Sequence, residues 1–293
     1  MGWDNLSVVS SGKRALLIAF TCLICSSAAS SGDQFNDLTV FCAASLTVAM
    51  EEIGSAYENS SGILVIFNFD GTQVLRTQVE EGAYADVFVS ANNKHMDILQ
   101  AEELMIDDTI QIFTRNSLAI IVPKENPAGI LNLTDLARPK VKIVMGTKEV
   151  PVGSYALELL DNLANDSAFG PEYREQVLSN VVSYETNVNY VVSKVALGEA
   201  DCGFVYKSDV TPGFAPRISK IEIPEEYNVM AEYSIGVMSQ SEVPESAKDF
   251  IGFVRSPEGM TILEKHGFEP VDSSTLEEIG EEAFLCAKAS GSA

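Results

Sequence analysis

The stretches L-T-V-F-C-A-A-S-L (residues 38–46) and F-N-F-D-G-T-Q-V-L (residues 67–75) share one pattern. In each, an apolar run typical of a strand ends in small residues, and a hydroxyl residue, Ser45 or Thr72, begins a segment with helical spacing. We expect both residues to be N-caps that leave first-turn N–H groups beside a hydroxyl at the positive end of a helix dipole. Because such helix starts bind oxyanions, the repeated pattern predicts capture of a small oxyanion without chemistry on it.

The overall composition is that of a soluble globular protein. A chain of 293 residues with 46% hydrophobic and 21% charged residues predicts about two domains and a large core. The net charge of −23 argues against nucleic acid as a partner, because a phosphate backbone requires a basic surface. The same charge does not exclude a small anion, since surface charges beyond about 10 Å are screened while N–H dipoles touch the ligand.

The N-terminus predicts export. Lys13 and Arg14 precede an apolar run at residues 15–25, which small residues follow up to Gly32. This run is shorter than the roughly 20 residues of a membrane span and fits a secretory signal peptide at residues 1–29. Cys25 offers an alternative, a lipid anchor, although Ile24 stands where a small residue is expected. Both readings place the protein in the periplasm or on the outer cell surface.

The cysteines and histidines predict no metal or redox chemistry. Beyond the signal, Cys42, Cys202 and Cys286 form an odd set without C-x-x-C spacing, which supports neither a disulfide framework nor a zinc site. Cys42 and Cys202 lie in apolar strand contexts, where we expect small buried side chains. His95 and His266 lie in polar, helix-like segments, where we expect exposure to solvent.

Strand and helix patterns alternate along two successive parts of the chain. The first part covers residues 38–96 and the second residues 117–206, and a last strand at 231–237 precedes a helix that Ser256 begins and Gly267 ends. Alternation of this kind predicts an α/β protein with helices on the faces of a parallel sheet and with ligands bound at the strand ends.

Five blocks, in their order and spacing, resemble the substrate-binding proteins of ABC-type molybdate importers. The blocks are A-A-S-L at residues 43–46, F-D-G-T-Q-V-L at 69–75, G-A-Y-A-D-V-F-V-S-A at 82–91, V-P-V-G-S-Y at 150–155 and G-F-V-Y-K-S-D at 203–209. The resemblance implies a two-lobed periplasmic-binding-protein-like fold of type II, each lobe a mixed, mostly parallel sheet flanked by helices, with two hinge crossovers. Lobe one would take residues 38–115 plus 232–275 and lobe two residues 116–231, followed by an acidic tail at 276–293.

The same resemblance implies a binding site assembled from both lobes. The donors would be the hydroxyl and backbone N–H of Ser45 and Thr72, the backbone N–H of Val152 and Val188, and the phenolic O–H of Tyr206. It implies no cofactor and no cation ligands, with molybdenum held as the molybdate oxyanion, and tungstate in the same way. The implied partner is the membrane permease of an ABC importer, and the implied state is a monomer.

Two positions depart from the family pattern. Asp70 stands where the family has a small neutral residue, and we expect its carboxylate to point away from the cleft or to cap the local backbone. Asn189 stands where an arginine is common, so a cation beside the site is missing.

Three alternative functions stay open. Sulfate or another tetrahedral oxyanion would suit the same donors, because the cavity radius cannot be read from the sequence. An enzyme on the same two-lobed fold is disfavoured by the lack of G-x-S-x-G, H-E-x-x-H and P-loop motifs. A sensor module is disfavoured because the sequence carries neither an attached helix-turn-helix nor a membrane span.

Overall fold

The computed structural model of the protein describes residues 37–271. The predicted signal peptide, Cys25, Cys286 and the acidic tail therefore lie outside the described residues. The first part contains β1 (Leu38–Ala43), α1 (Thr47–Ser61), β2 (Val65–Asp70), α2 (Thr72–Glu80), β3 (Val87–Ser90) and α3 (Asn93–Ala101).

A long strand then leads into the second part of the chain. The elements there are β4 (Gln111–Pro123), β5 (Ile143–Gly146), α4 (Pro151–Asn165), α5 (Tyr173–Ser179), β6 (Val181–Glu185), α6 (Val188–Ala196), β7 (Cys202–Tyr206) and β8 (Ile218–Glu222). The described chain closes with β9 (Met230–Val237), α7 (Pro244–Val254), α8 (Pro257–Lys265) and β10 (Glu269–Pro270).

The strands form one mixed sheet in the order β2-β1-β3-β9-β4-β7-β5-β6, with β8 and β10 also paired to β4. The outer strands of both parts are parallel, whereas β9 and β4 pair antiparallel with their neighbours. Strand β4 joins the two parts, because its residues up to Ser117 pair with β9 and those from Leu118 pair with β7 and β8. The expected α/β fold class is confirmed.

The predicted lobe limits fall inside two of these strands. The limit at residues 115 and 116 lies in β4, and the limit at 231 and 232 lies in β9. We keep the names lobe one and lobe two for the parts that contain β1 to β3 and β5 to β7, while the limits themselves stay a prediction.

Alternating side chains of β1 bury apolar surface on both faces of the sheet. Val40 and Cys42 face the main core, into which α1, α7 and α8 also pack, whereas Phe41 joins a second cluster with residues of α2 and α3. This two-sided burial is the reason that β1 reads as a nearly continuous apolar run. Helices packed on both faces of the sheet hold the carboxyl ends of the strands in place.

The start and end of α8 follow the sequence signals. The Ser256 hydroxyl accepts the N–H of Gly259 at 3.2 Å, Pro257 is the first helical residue, and Gly267 has a positive φ of +83°. In the described part of the chain, no helix combines the length and the apolar character that crossing a membrane requires.

Replacing the cap of α8 should destabilise the protein. Ser256→Ala removes the acceptor of the Gly259 N–H, and we expect a loss of about 1 kcal/mol in the free energy of unfolding, measured by urea denaturation. Ser239→Ala, at an exposed serine, is the control and should change the value by less than about 0.5 kcal/mol. An equal change in the free energy of unfolding for the two variants would contradict the role of Ser256 as the cap of α8.

Candidate functional site

The five residues predicted to bind an anion line one cavity. Ser45 lies in a 3-10 turn (Ala44–Leu46) that follows β1, and Thr72 begins α2 directly after β2. From lobe two, Val152 lies in the first turn of α4, Val188 begins α6, and Tyr206 ends β7. All five belong to the lining of the same cavity.

The register of the sheet explains the match between the two sequence stretches. Ala43 at the end of β1 pairs with Asp70 at the end of β2, and the strands are parallel. Ser45 and Thr72 each follow two residues later, so both hydroxyl residues reach the cavity from adjacent strand ends. The repeated sequence pattern therefore corresponds to two parallel strands that end side by side and place a hydroxyl residue at the same distance after each strand.

The cavity is small and its lining is uncharged. Its volume is about 20 Å³, far below the roughly 300–1,000 Å³ of sites that enclose drug-sized organic ligands. Its other lining residues carry no ionisable side chain, and they are Ala43, Ala44, Gly71, Ala91, Val150, Pro151 and Asn187. Such a cavity suits a compact ligand that is held by neutral groups.

Three helices point their N-termini at this cavity. The first N–H groups of α2, α4 and α6 have no carbonyl partner within their own helices, and these ends carry the positive pole of the helix dipole. The cavity therefore combines backbone donors from both lobes with a favourable potential for negative charge.

The expectation that Ser45 and Thr72 are N-caps is wrong. The cap residues are Ala43 and Gly71, and neither makes a side-chain cap bond. The two hydroxyl groups instead have other partners: Ser45 Oγ lies 3.0 Å from Tyr233 Oη, and Thr72 Oγ1 accepts the N–H of Ala91 at 3.2 Å. The error arose because these partners lie on other strands or loops, outside the local sequence window.

Tyr206 presents a buried hydroxyl at the end of β7. The residue is 1% exposed, and its Oη has no hydrogen-bond partner among the described residues. Burial raises the pKa of this phenol well above its ordinary value, so the group stays protonated and can donate. Asp209 Oδ2 accepts the backbone N–H of Tyr206 at 2.7 Å, which fixes the strand end that carries the ring.

Polar contacts join the two lobes around the cavity. Gln73 Nε2 donates to the carbonyl oxygen of Thr186 at 2.6 Å, and Asn189 Nδ2 donates to that of Ala44 at 3.2 Å. Gly71 permits this approach, because a Cβ at its position would lie 2.3 Å from the Thr186 oxygen. Gly71 is a site residue that was not predicted from the sequence, although it lies within the F-D-G-T-Q-V-L block.

Asp70 caps the local backbone, as expected, and also contacts lobe two. Its Oδ1 accepts the N–H of Gly71 at 2.7 Å and an Nδ2 hydrogen of Asn187 at 2.9 Å. Asn187 Oδ1 in turn accepts the N–H of Tyr190 and caps α6. The carboxylate is thus turned toward donors and does not belong to the cavity lining, so it does not face a ligand held there.

The expectation of an exposed His95 is wrong. The residue is 3% exposed, and its Nε2 donates to the carbonyl oxygen of Glu149 in lobe two at 2.9 Å. Burial lowers the pKa of His95, while the bond to Glu149 opposes this effect. His266 is also largely covered and contacts Glu52 Oε2 at 2.8 Å, so the polar sequence around the two residues misled the prediction.

The described residues hold no cluster of histidine, cysteine or acidic side chains suited to a metal ion. Cys42 and Cys202 are free thiols and both are buried, which confirms their predicted role as small core side chains.

The fold and the site together define a two-lobed solute-binding protein of the periplasmic type. Residues 38–269 match the family described as "Bacterial extracellular solute-binding protein", and the chain belongs to this family. The predicted family is thereby confirmed.

Individual relatives agree with this assignment. The "Molybdate-binding protein ModA" of Mycobacterium tuberculosis is 34% identical over 232 residues, covering 79% of this chain and 84% of the relative. The "Putative ABC transporter substrate-binding lipoprotein YvgL" of Bacillus subtilis is 31% identical, covering 87% of this chain and 95% of the relative. A solved structure, the substrate binding domain of a putative molybdenum ABC transporter from Clostridium difficile, matches with a TM-score of 0.61 and 31% identity, covering 80% of this chain and 99% of that one.

His95 should make the stability of the protein depend on pH. The unfolded histidine takes up a proton near its ordinary pKa of about 6.5, whereas buried His95 resists protonation. The contribution of His95 to stability is therefore complete above about pH 6.5 and is lost as the pH falls below it. His95→Gln keeps a donor for Glu149 and should lose less stability than the wild type between about pH 7.5 and about pH 5.5 in urea denaturation. A loss of the same size in both proteins would contradict this assignment.

Proposed function

We propose that the mature protein captures molybdate, and tungstate in the same way, outside the cytoplasmic membrane and delivers it to an ABC importer. The observation that carries this proposal is that Ser45, Thr72, Val152, Val188 and Tyr206 line a single small cavity between the lobes. The molybdate-binding relative and the molybdenum transporter structure support the choice of oxyanion.

The donors at the cavity would replace the hydration shell of a dianion. Burying such an ion without partners costs tens of kcal/mol. The proposed set comprises the backbone N–H of Ser45, Thr72, Val152 and Val188 and the hydroxyls of Ser45, Thr72 and Tyr206. At about 1.5–3 kcal/mol for each bond to a charged group, they would contribute roughly 10–20 kcal/mol before the costs of association and closure. Micromolar to nanomolar affinity, about −8 to −12 kcal/mol, is compatible with that sum.

Neutral donors also favour fully deprotonated oxyanions. A phosphate that keeps a proton at neutral pH brings a donor of its own, and the proposed shell offers it no acceptor. Molybdate, tungstate and sulfate avoid this mismatch. Sulfate or another tetrahedral oxyanion is the second candidate ligand, because it would use the same donors.

We further propose binding without turnover and export by the signal at residues 1–29. The family is one of extracellular solute-binding proteins, and the Bacillus subtilis relative is named a lipoprotein, which favours keeping attachment through Cys25 as an alternative to free secretion. The proposed partner is a membrane permease, to which a monomer would deliver the ion by opening the contacts between its lobes.

Isothermal titration of the mature protein with molybdate, tungstate, sulfate and phosphate tests the ligand assignment. We expect tight binding of molybdate and tungstate, weaker binding of sulfate and no detectable binding of phosphate. Molybdate affinity no better than millimolar, together with tight binding of sulfate or an organic acid, would overturn the assignment.

Removing the phenolic hydroxyl should weaken molybdate binding. Tyr206→Phe takes away one donor and leaves a charged oxygen unpaired, so we expect a loss of about 1–3 kcal/mol in binding free energy by titration calorimetry. Tyr57→Phe is the matched control, because the Tyr57 hydroxyl donates to the Ser246 carbonyl in lobe one, at 3.4 Å and away from the cavity lining. Unchanged affinity in Tyr206→Phe would remove this tyrosine from the binding shell.

A further inference from the structure

We propose that Asp70 and Asn187 form a latch across the two lobes that slows the release of a bound oxyanion. The latch is the hydrogen bond between their side chains, and both residues are positioning residues that hold the lobes together. This inference rests on the proposed function, since it concerns how long an ion captured by that site is retained.

The direction of this bond follows from its atoms. Asn187 Oδ1 accepts the backbone N–H of Tyr190 at 3.3 Å, so the other atom of the amide is the nitrogen. That nitrogen, Nδ2, donates to Asp70 Oδ1 at 2.9 Å. The same Asp70 oxygen accepts the N–H of Gly71 at 2.7 Å. One oxygen atom is therefore bonded both to the residue that precedes α2 and to the residue that caps α6.

The latch lies between solvent and the cavity. Asn187 is 6% exposed and Gly71 is buried, and both line the cavity, whereas Asp70 is half-buried and does not. Partial shielding from water strengthens a hydrogen bond to a charged group. A second bond between the lobes lies beside it, from Gln73 Nε2 to the carbonyl oxygen of Thr186 at 2.6 Å. These contacts hold the starts of α2 and α6 against each other.

The latch is linked to the ligand through the two residues that follow it. Thr72 comes directly after Gly71 and Val188 directly after Asn187, and both are proposed to donate backbone N–H groups to the ion. Both lobes line the cavity of about 20 Å³, so a bound ion can leave only when these N–H groups move apart. That movement breaks the bond between Asp70 and Asn187.

This link predicts an effect on release and not on capture. The free energy of the latch adds to the barrier that an ion must cross to leave. An open protein has not yet formed the latch when an ion arrives, so the association rate does not depend on it.

The latch depends on an acid that the resembling family lacks at this position. A small neutral residue in place of Asp70 offers no carboxylate to Asn187, so the latch is a feature of this chain. The acid also brings a negative charge close to the proposed anion site. A test must therefore separate the latch from the charge of Asp70.

The first variant removes the partner of Asp70 and leaves the net charge unchanged. Asn187→Ser lacks the Nδ2 donor but keeps a side-chain oxygen that can cap α6. We expect the dissociation rate constant of molybdate to rise about tenfold, measured by release of radiolabelled molybdate into excess unlabelled molybdate with rapid filtration. The association rate constant, obtained from this value and the calorimetric Kd, should change by less than about twofold.

Asn132→Ser is the matched control. The Asn132 side chain also caps a helical turn, where it accepts the N–H of Thr134 at 3.0 Å, and it does not line the cavity. Both rate constants of this variant should stay within about twofold of the wild type. The melting temperature of each variant without ligand verifies that it folds.

A double-mutant cycle with Asp70→Ala tests whether Asn187 acts through Asp70. In the Asp70→Ala background, Asn187→Ser should change the dissociation rate constant by less than about twofold, because the latch is already absent. The charge of Asp70 is missing from both proteins in this comparison and cancels. An effect of the same size in both backgrounds would assign the role of Asn187 to the α6 cap or to direct ligand contact and would overturn the inference. An unchanged dissociation rate constant in the single variant Asn187→Ser would overturn it as well.

The outcomes separate this inference from the proposed function. If the wild-type protein binds neither molybdate nor tungstate nor sulfate, the proposed function fails and the inference fails with it. If it binds sulfate alone, the molybdate assignment fails and the latch is tested with radiolabelled sulfate. If the wild type binds molybdate and Asn187→Ser releases it at the wild-type rate, only the latch fails.

Discussion

A protein that holds a small anion away from water must offer it hydrogen-bond donors in place of the lost hydration. The described chain meets this constraint with helix N-termini and hydroxyl groups, and the cavity lining contains no charged side chain. Neutral donors fixed by secondary structure need little reorganisation when a ligand arrives. The order of the strands, the positions at which the helices begin and the contact between the lobes all serve to bring these donors together.

The contact between the lobes depends on close approach and on a hydrogen-bonded carboxylate. Gly71 lets the start of α2 come near the Thr186 carbonyl, where any larger residue would collide. The carboxylate of Asp70 accepts hydrogen bonds from the Gly71 N–H and from the Asn187 side chain. This negative side chain close to the cavity therefore contributes to the contact between the lobes. This accounts for an acid at a position where the resembling family has a small neutral residue.

A net charge of −23 is compatible with the proposed anion site, because the surface charges and the donors of the cavity act over different distances. Charges on the surface are screened within about 10 Å, whereas the donors of the cavity would contact the ligand directly. Salt therefore weakens the repulsion by the surface more than it weakens the short bonds inside. The acidic surface contributes to solubility, and the local geometry of the cavity decides what can bind.

The sequence by itself determined the order of strands and helices and the helix start at Ser256, because apolar periodicity and caps are local signals. The five positions that line the cavity were implied by the resemblance of the motif blocks to a known family. The tertiary structure decided what those residues contact. Ser45 and Thr72 were predicted to be helix caps, but their hydroxyl groups form hydrogen bonds with Tyr233 and with the backbone of Ala91. His95 was predicted to be exposed, but its ring donates a hydrogen bond across the lobes to Glu149. These partners lie up to 188 positions apart, and only the pairing of the strands and the approach of the lobes bring them within bonding distance.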